Sequence, residues 1–105
     1  MIAKTPKTPY YAVIFSSLLS GNKNGYSEMA VRMEELAKDQ KGFLGFESAR
    51  EALGITVSYW KDLESIIVWK ENLEHQKAQQ KGKEVWYKSY KVRVCKVERD
   101  YGFGD

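Results

Sequence analysis

The fold is decided by the stretch Ile55-Thr56-Val57-Ser58-Tyr59-Trp60-Lys61-Asp62-Leu63-Glu64-Ser65-Ile66-Ile67. Up to Trp60 the residues alternate, which predicts a strand with Ile55, Val57 and Tyr59 on one face. Asp62 is a residue type that caps helices, and the apolar spacing after it predicts a helix that continues to about Lys81. The stretch is therefore a strand that leads directly into a helix.

Before this stretch the sequence predicts a strand, a helix and a second strand. The β-branched and aromatic run Tyr10–Leu19 predicts the first strand. After a turn cluster at 20–25, Ser27 is the expected cap of a helix that ends near Gly42. This half of the chain is then completed by an apolar turn at 43–46, a strand at Phe46–Glu51 and a hairpin turn at Leu53-Gly54.

After the second helix, Val85–Tyr90 is predicted to form a short helical turn, and the alternating run Tyr90–Val97 predicts a fourth strand. Residues 1–9 are expected to be a flexible lead, and 10–105 a single domain. The order β-α-β-β-α-β predicts an α+β fold of the ferredoxin-like kind, an antiparallel sheet with both helices on one face. The other face of this sheet has apolar residues that must be shielded from water. We therefore expect a homodimer, an α/β barrel that buries roughly 2,000 Å² or more.

Composition narrows the class of protein. The chain has 105 residues, a net charge of +3 and a single cysteine, Cys95, which cannot form an internal disulfide. The lone cysteine favours a reducing compartment, and we expect a cytoplasmic protein. The lead has no apolar run, and no stretch approaches the ~20 apolar residues of a membrane span. Basic residues are concentrated from Lys77 to Arg99, but they fit a solvated face better than a nucleic-acid site.

Several runs resemble the antibiotic-biosynthesis monooxygenase family. The third strand and second helix of those domains are similar to three parts of this chain, which are the residues from Ser58 to Ile66, the run Trp69-Lys70-Glu71-Asn72 and His75. The C-terminal part of the domain in one uncharacterised bacterial branch of the family is similar to Trp86–Tyr90, Arg93-Val94 and Val97–Tyr101. The resemblance therefore extends from about Tyr10 to Phe103. It implies a homodimeric α/β barrel. Some family members oxidise phenols or quinols with molecular oxygen and no cofactor, and others open haem.

The resemblance to the haem-degrading members is incomplete. Those enzymes use an Asn in the first strand, a Trp in the second helix and a His further along. Trp69 follows Trp60 by nine residues, as their tryptophan spacing requires. However, Ser16 and Ser17 stand where the Asn is expected, and His75 follows Trp69 by only six residues, a shorter interval than in those enzymes. We therefore expect no haem turnover.

His75 is the candidate catalytic base, because a phenolic substrate must lose a proton before it donates an electron to oxygen. On an unbroken helix His75 lies roughly 120° around from Trp69, whereas a break at Asn72 would let both face one pocket. The candidate substrate-binding residues are Trp69, Tyr59, Trp60 and Trp86, with Tyr87 as a further aromatic wall. Aromatic side chains at these spacings are also typical of a core or a dimer interface. Glu47 and Arg50 lie on the second strand, could pair across the hairpin and are treated as structural, and Cys95 is expected to be inert.

Two functions follow from the sequence. The first is a cofactor-independent monooxygenase that acts on a small aromatic or quinol-like molecule, with no cofactor and no metal site. The second is a dimer of the same fold that binds a small molecule, or acts in stress, without catalysis. A closed apolar cavity that reaches His75 would favour the enzyme, and a filled core with His75 in solvent would favour the second.

Overall fold

The computed structural model describes residues 1–75 and 86–104, with Glu74 and His75 described by their backbone alone. The elements are β1 (Tyr10–Leu19), α1 (Tyr26–Lys38), β2 (Phe43–Arg50), β3 (Gly54–Trp60), α2 (Leu63–His75) and β4 (Tyr87–Val97). The strands form one antiparallel sheet in the order β2-β3-β1-β4. The α+β fold and the order of elements predicted from the sequence are thus confirmed. Within residues 1–75 and 86–104, neither helix has the length and apolar character needed to cross a membrane.

The sheet has two different faces. On β1, Tyr11 pairs with Trp60 of β3, and Trp60 contacts Trp69 of α2, so these residues define the helix face. The next pair along the strands, Ala12 with Tyr59, points to the opposite side, which we call the open face. Because side chains alternate, Val13, Phe15 and Ser17 lie on the helix face. On the open face of β1 lie Tyr10, Ala12, Ile14 and Ser16.

Two strands begin earlier than the sequence predicted. β2 starts at Phe43, where an apolar turn was expected, because Phe43 already pairs with Trp60. A register shift between Phe43 and Gly45 accommodates the extra residue, and Gly45 has a φ of 153° that favours glycine. β4 starts at Tyr87, which pairs with Leu19 at the end of β1. The predicted helical turn is therefore wrong for Tyr87–Tyr90, and Val85 lies outside the described residues.

The helix ends also differ from the prediction. α1 is preceded by Gly25 in a left-handed conformation, with φ 79°, and not capped by Ser27. The cap of α2 is confirmed, because the Asp62 Oδ1 accepts a hydrogen bond of 2.8 Å from the backbone N–H of Ser65. Of the two alternatives at Asn72, the unbroken helix is observed. α2 runs unbroken from Leu63 to His75, and the side-chain oxygen of Asn72 bonds to no backbone group among the described residues.

The turn before β2 packs against α2 at Gly42. Its φ of 87° is left-handed, and a Cβ at this position would lie only 2.1 Å from the Ser65 Oγ. The Gly42 carbonyl also accepts a hydrogen bond of 2.8 Å from the backbone N–H of Lys61. On the buried side of α2, Ile66 is covered as expected, but Leu63 is 48% exposed and does not extend the apolar stripe.

Candidate functional site

An aromatic cluster lies on the helix face where β3 leads into α2. The Trp60 ring lies 5.3 Å from Phe43 in an edge-to-face contact and 5.8 Å from Trp69 in a tilted contact. Trp60 is fully buried, and its indole N–H donates a 2.9 Å hydrogen bond to the Ser58 Oγ. Two of the candidate binding residues nominated from the sequence, Trp60 and Trp69, are therefore in contact.

Asn72 belongs to the same side of α2 as Trp69. It follows Trp69 by three residues, which places the two on adjacent turns of one helix face. The Asn72 Oδ1 is buried, and among residues 1–75 and 86–104 it has no hydrogen-bond partner. A buried amide oxygen of this kind is uncommon in folded proteins and calls for an explanation.

A second aromatic cluster occupies the other end of the helix face. Its rings make contacts of 5.2–6.0 Å, and its members are Phe15, Tyr26, Trp86, Tyr87 and Tyr90. Burial raises the pKa of the Tyr87 hydroxyl, and the neighbouring Tyr26 raises it further. The Trp86 indole N–H donates a 2.7 Å hydrogen bond to the Asn24 carbonyl and so binds β4 to the turn before α1.

The two clusters are far apart. Trp60 pairs with Tyr11 near the start of β1, whereas the Trp86 carbonyl accepts a hydrogen bond from Ser20 beyond the end of β1. The nine residue steps from Tyr11 to Ser20 span roughly 30 Å at the usual rise of a strand. Trp86 and Trp69 therefore cannot contact one small substrate together.

Arg50 lies beside the second cluster. Its guanidinium donates to the Ser17 Oγ and, at 3.3 Å, to the Ser17 carbonyl, and it lies 5.7 Å from the centre of the Tyr26 ring. Glu47 and Arg50 do not pair with each other. The two positions are three residues apart on β2, and alternation places them on opposite faces of the sheet.

Tyr59 lies on the open face, away from Trp60 and Trp69. Its hydroxyl donates a 2.6 Å hydrogen bond to the Glu47 Oε1, and the backbone N–H of Ala3 donates to the Glu47 Oε2 at 2.9 Å. These bonds lower the pKa of the Glu47 carboxyl, with the Tyr59 bond as the larger cause. Burial, and then the hydrogen bond to Glu47, raise the pKa of Tyr59 to about 12.

Tyr10 continues this polar group on the open face. Its side chain is 4% exposed, and its ring contacts the Tyr59 ring edge-on at 5.9 Å. The Tyr10 hydroxyl donates a hydrogen bond to the Asp100 carboxylate and accepts one of 3.0 Å from the Thr5 hydroxyl. Burial raises the pKa of Tyr10, and the bond to Asp100 raises it further. With Tyr101 these residues border a cavity of about 320 Å³.

Sequence reasoning missed this open-face group. The available signal was Glu47, a carboxylate that alternation places on the same face as two small residues, Gly45 and Ala49. The lead that was expected to be flexible contributes Ala3 and Thr5 to it.

The predicted site residues thus fall into separate places. Trp60 and Trp69 are in contact, Tyr59 is on the opposite face, and Trp86 is at the far end of the sheet. His75 is the last residue of α2, and its side chain lies outside the described part of the chain. Its role as a base, and the substrate-binding roles of the four aromatic residues, stay predictions.

Cys95 and the possible metal ligands complete the description of the site. Cys95 is partly buried on β4, where it pairs with Ala12. Across residues 1–75 and 86–104, no group of three or more His, Cys, Asp or Glu side chains could hold a metal ion.

Comparison with known proteins supports the sequence-based resemblance. A scan against protein-family models finds no match. The chain is 59% identical over 100 residues to the uncharacterized protein YqjZ of Bacillus subtilis, covering 93% of this chain and 88% of that protein.

Solved structures share the fold at low identity. SnoaB of Streptomyces nogalater, a cofactor-independent oxygenase, is 9% identical with a TM-score of 0.74, over 89% of this chain and 97% of SnoaB. A proposed antibiotic biosynthesis monooxygenase from Nitrosomonas europaea is 12% identical with a TM-score of 0.73, over 96% of this chain and 100% of that one. The resemblance inferred from the sequence is confirmed at the level of the fold.

Proposed function

We propose that this chain, which belongs to the same protein family as YqjZ of Bacillus subtilis, is a cofactor-independent monooxygenase that acts on a small aromatic or quinol-like compound. The observation that carries the proposal is the contact of Phe43, Trp60 and Trp69 on the helix face. Flat rings of this kind bind planar aromatic molecules and exclude water from them. The shared fold with SnoaB, an enzyme that oxidises without a cofactor, supports the type of reaction.

In the proposed reaction the substrate supplies the electrons. A phenolic hydroxyl loses its proton to a base, and the electron-rich anion then donates an electron to molecular oxygen. One oxygen atom enters the substrate, and the other leaves as water together with two hydrogens from the substrate. The protein binds and orients the ring, keeps water away and accepts the proton, for which His75 is the proposed group.

An oxygen-uptake screen of quinols, catechols and polycyclic phenols with the pure protein and a metal chelator tests the proposal. We expect one O₂ consumed per molecule oxidised, and a large loss of rate in Trp69→Ala. Leu53→Ala, at the exposed tip of the β2–β3 hairpin, is the control that should leave the rate unchanged. Binding of these compounds with no oxygen uptake would instead favour the non-catalytic binding dimer.

The role of His75 has its own test. If His75 is the base, His75→Ala lowers turnover of a substrate from the screen by about 100-fold, the usual contribution of a positioned base, and a rise in pH partly restores it. Urea unfolding of the variant should match the wild type. An unchanged rate would reject the assignment and leave the substrate to lose its proton to water.

We further propose a cytoplasmic location. It is supported by the single cysteine, because a chain that cannot form an internal disulfide gains nothing from an oxidising compartment.

A further inference from the structure

We propose that Asn72 binds the hydroxyl group of the aromatic compound, as the hydrogen-bond acceptor of the site formed by Phe43, Trp60 and Trp69. This assignment rests on the proposed function and specifies which group of the substrate is recognised. It starts from one atom, the Asn72 Oδ1, which is buried and without a partner in the described part of the chain.

A buried acceptor without a partner destabilises the protein that contains it, because the oxygen has left water and gained nothing in exchange. An apolar residue of the same size would avoid this loss. The amide does not cap a helix either, since α2 continues past Asn72 without a break. The described residues therefore provide no donor for this oxygen.

The position of Asn72 relates this acceptor to the aromatic rings. Three residues of an α-helix advance about 4.5 Å and return to within about 60° of the same direction. Asn72 thus follows Trp69 on the side of α2 that faces the sheet, and the Trp69 ring is in contact with Trp60. A planar molecule against the partly exposed Phe43 and Trp69 rings would meet an acceptor at one edge.

Part of the candidate site remains accessible on the helix face. Phe43, Trp69 and Val13 all face the layer between the sheet and the helices, yet each remains partly exposed. Trp60 is the ring that is completely covered. The described side chains therefore do not close the layer over the candidate site.

The chemistry of an amide oxygen defines the ligand. It accepts hydrogen bonds and cannot donate them, so it binds a phenol or a hydroquinone by its O–H and does not bind the carbonyl of a quinone. Oxidation of the substrate at this position removes the donor. The Asn72 Oδ1 would therefore favour the protonated, reduced compound as it binds, and this hydrogen bond is lost once the hydroxyl gives its proton to the base.

Calorimetric titration with two matched probes tests the assignment. 1-Naphthol carries a hydroxyl donor, and 1-methoxynaphthalene has nearly the same shape without one. We expect the wild type to bind 1-naphthol about tenfold more tightly, which corresponds to one hydrogen bond to a buried acceptor. Asn72→Leu should bind both probes equally, and Glu71→Gln, an exposed neighbour on α2, should keep the preference.

Stability provides the second measurement. Because the Oδ1 has no partner, Asn72→Leu should unfold at the same or a higher urea concentration than the wild type. A destabilised Asn72→Leu would show that Asn72 has a structural role and would overturn the proposal. Three binding results would also overturn the proposal. They are equal binding of the two probes by the wild type, a preference for 1-naphthol that survives in Asn72→Leu, and no binding of either probe. Preferential binding without any oxygen uptake would support Asn72 while rejecting the monooxygenase function.

Discussion

Glu47 shows how one side chain makes stability depend on pH. Its ionised carboxylate accepts hydrogen bonds from Tyr59 and from Ala3, and these bonds lower its pKa below the ordinary value of 4.5. The stability that they provide is therefore complete above about pH 4.5 and is lost as the pH falls through the lowered pKa. Tyr59 acts at the other extreme. Its contribution is complete below pH 10 and is lost as the pH rises towards 12.

The variant Glu47→Gln tests the acid side of this argument. At pH 7 it should be less stable than the wild type by no more than about 1 kcal/mol, because water screens a partly exposed carboxylate. The difference should narrow as the pH falls towards 3, where a protonated Glu resembles Gln. Urea unfolding at both pH values measures it, with Glu64→Gln on the exposed side of α2 as the control. A difference that does not vary with pH would contradict the assignment.

At the same scale, the sequence nominated Trp60 and Trp69 as candidate binding residues, but it predicted neither their contact nor the surroundings of Tyr59. Alternation implies that Tyr59 and Trp60 point to opposite faces of β3, yet it does not say which face the helices cover. That is decided by packing, since Trp60 contacts Phe43 and Trp69. Asn72 was considered only as a possible helix break, because an Asn within a helical pattern is more often a cap than a buried side chain.

Gly42 links three elements, because it ends the connection between α1 and β2 and lies against α2. We expect Gly42→Ala to destabilise the protein by about 1–3 kcal/mol, for two reasons. The backbone is left-handed at φ 87°, and the new Cβ would lie 2.1 Å from the Ser65 Oγ. Urea unfolding measures the loss. Gly21→Ala is the matched control, since a Cβ there meets no atom within 4 Å.

The double variant Gly42→Ala, Ser65→Ala separates the two causes. Removing the Ser65 hydroxyl relieves the shorter contact, although the Ser65 Cβ remains 2.8 Å from the new methyl group. Only part of the stability should return. If the double variant were as stable as the wild type, the left-handed backbone would carry no free-energy cost for alanine at this position.

The elements were predicted more accurately than their ends. β1 has the predicted bounds, since a continuous apolar and β-branched run indicates a buried strand. The starts of β2 and β4 were missed because each depends on a partner elsewhere in the chain, Trp60 for Phe43 and Leu19 for Tyr87. A local pattern contains no information about such pairings.

For the whole molecule, we propose a homodimer that packs the open faces of two sheets together. Ile14 and Val57 lie on this face and are partly exposed, and Ile55 beside them is 41% exposed. The tail adds Tyr101 and Phe103, which are 90% and 103% exposed and find no docking place on the described part of their own chain. Apolar surface of this extent is typical of an interface.

The charges on this face suit a second copy. Glu47, Val57, Ile14 and Arg93 form one row across the four strands, with the two charges at opposite edges. A two-fold axis parallel to the strands would place Glu47 of one copy opposite Arg93 of the other. Such a pairing would fix how the two sheets are oriented.

Sedimentation velocity tests the dimer and its orientation. We expect a dimer at micromolar concentration, and at least tenfold weaker association in Arg93→Glu, which places like charges opposite each other. Lys96→Glu makes the same charge change on the other face of β4 and is the matched control. A monomeric wild type would reject the dimer, and unaltered association of Arg93→Glu would reject this orientation.

The hydroxyl of Tyr10 has a consequence for how the chain could be rearranged. It bonds both to Thr5, in the segment before β1, and to Asp100, in the segment after β4, so these two segments lie side by side. A short linker could join them, and the backbone could be opened at the exposed turn at 51–53. Such a circular permutant would retain every strand pairing of the sheet while placing its new ends at the tip of the hairpin, away from the open face.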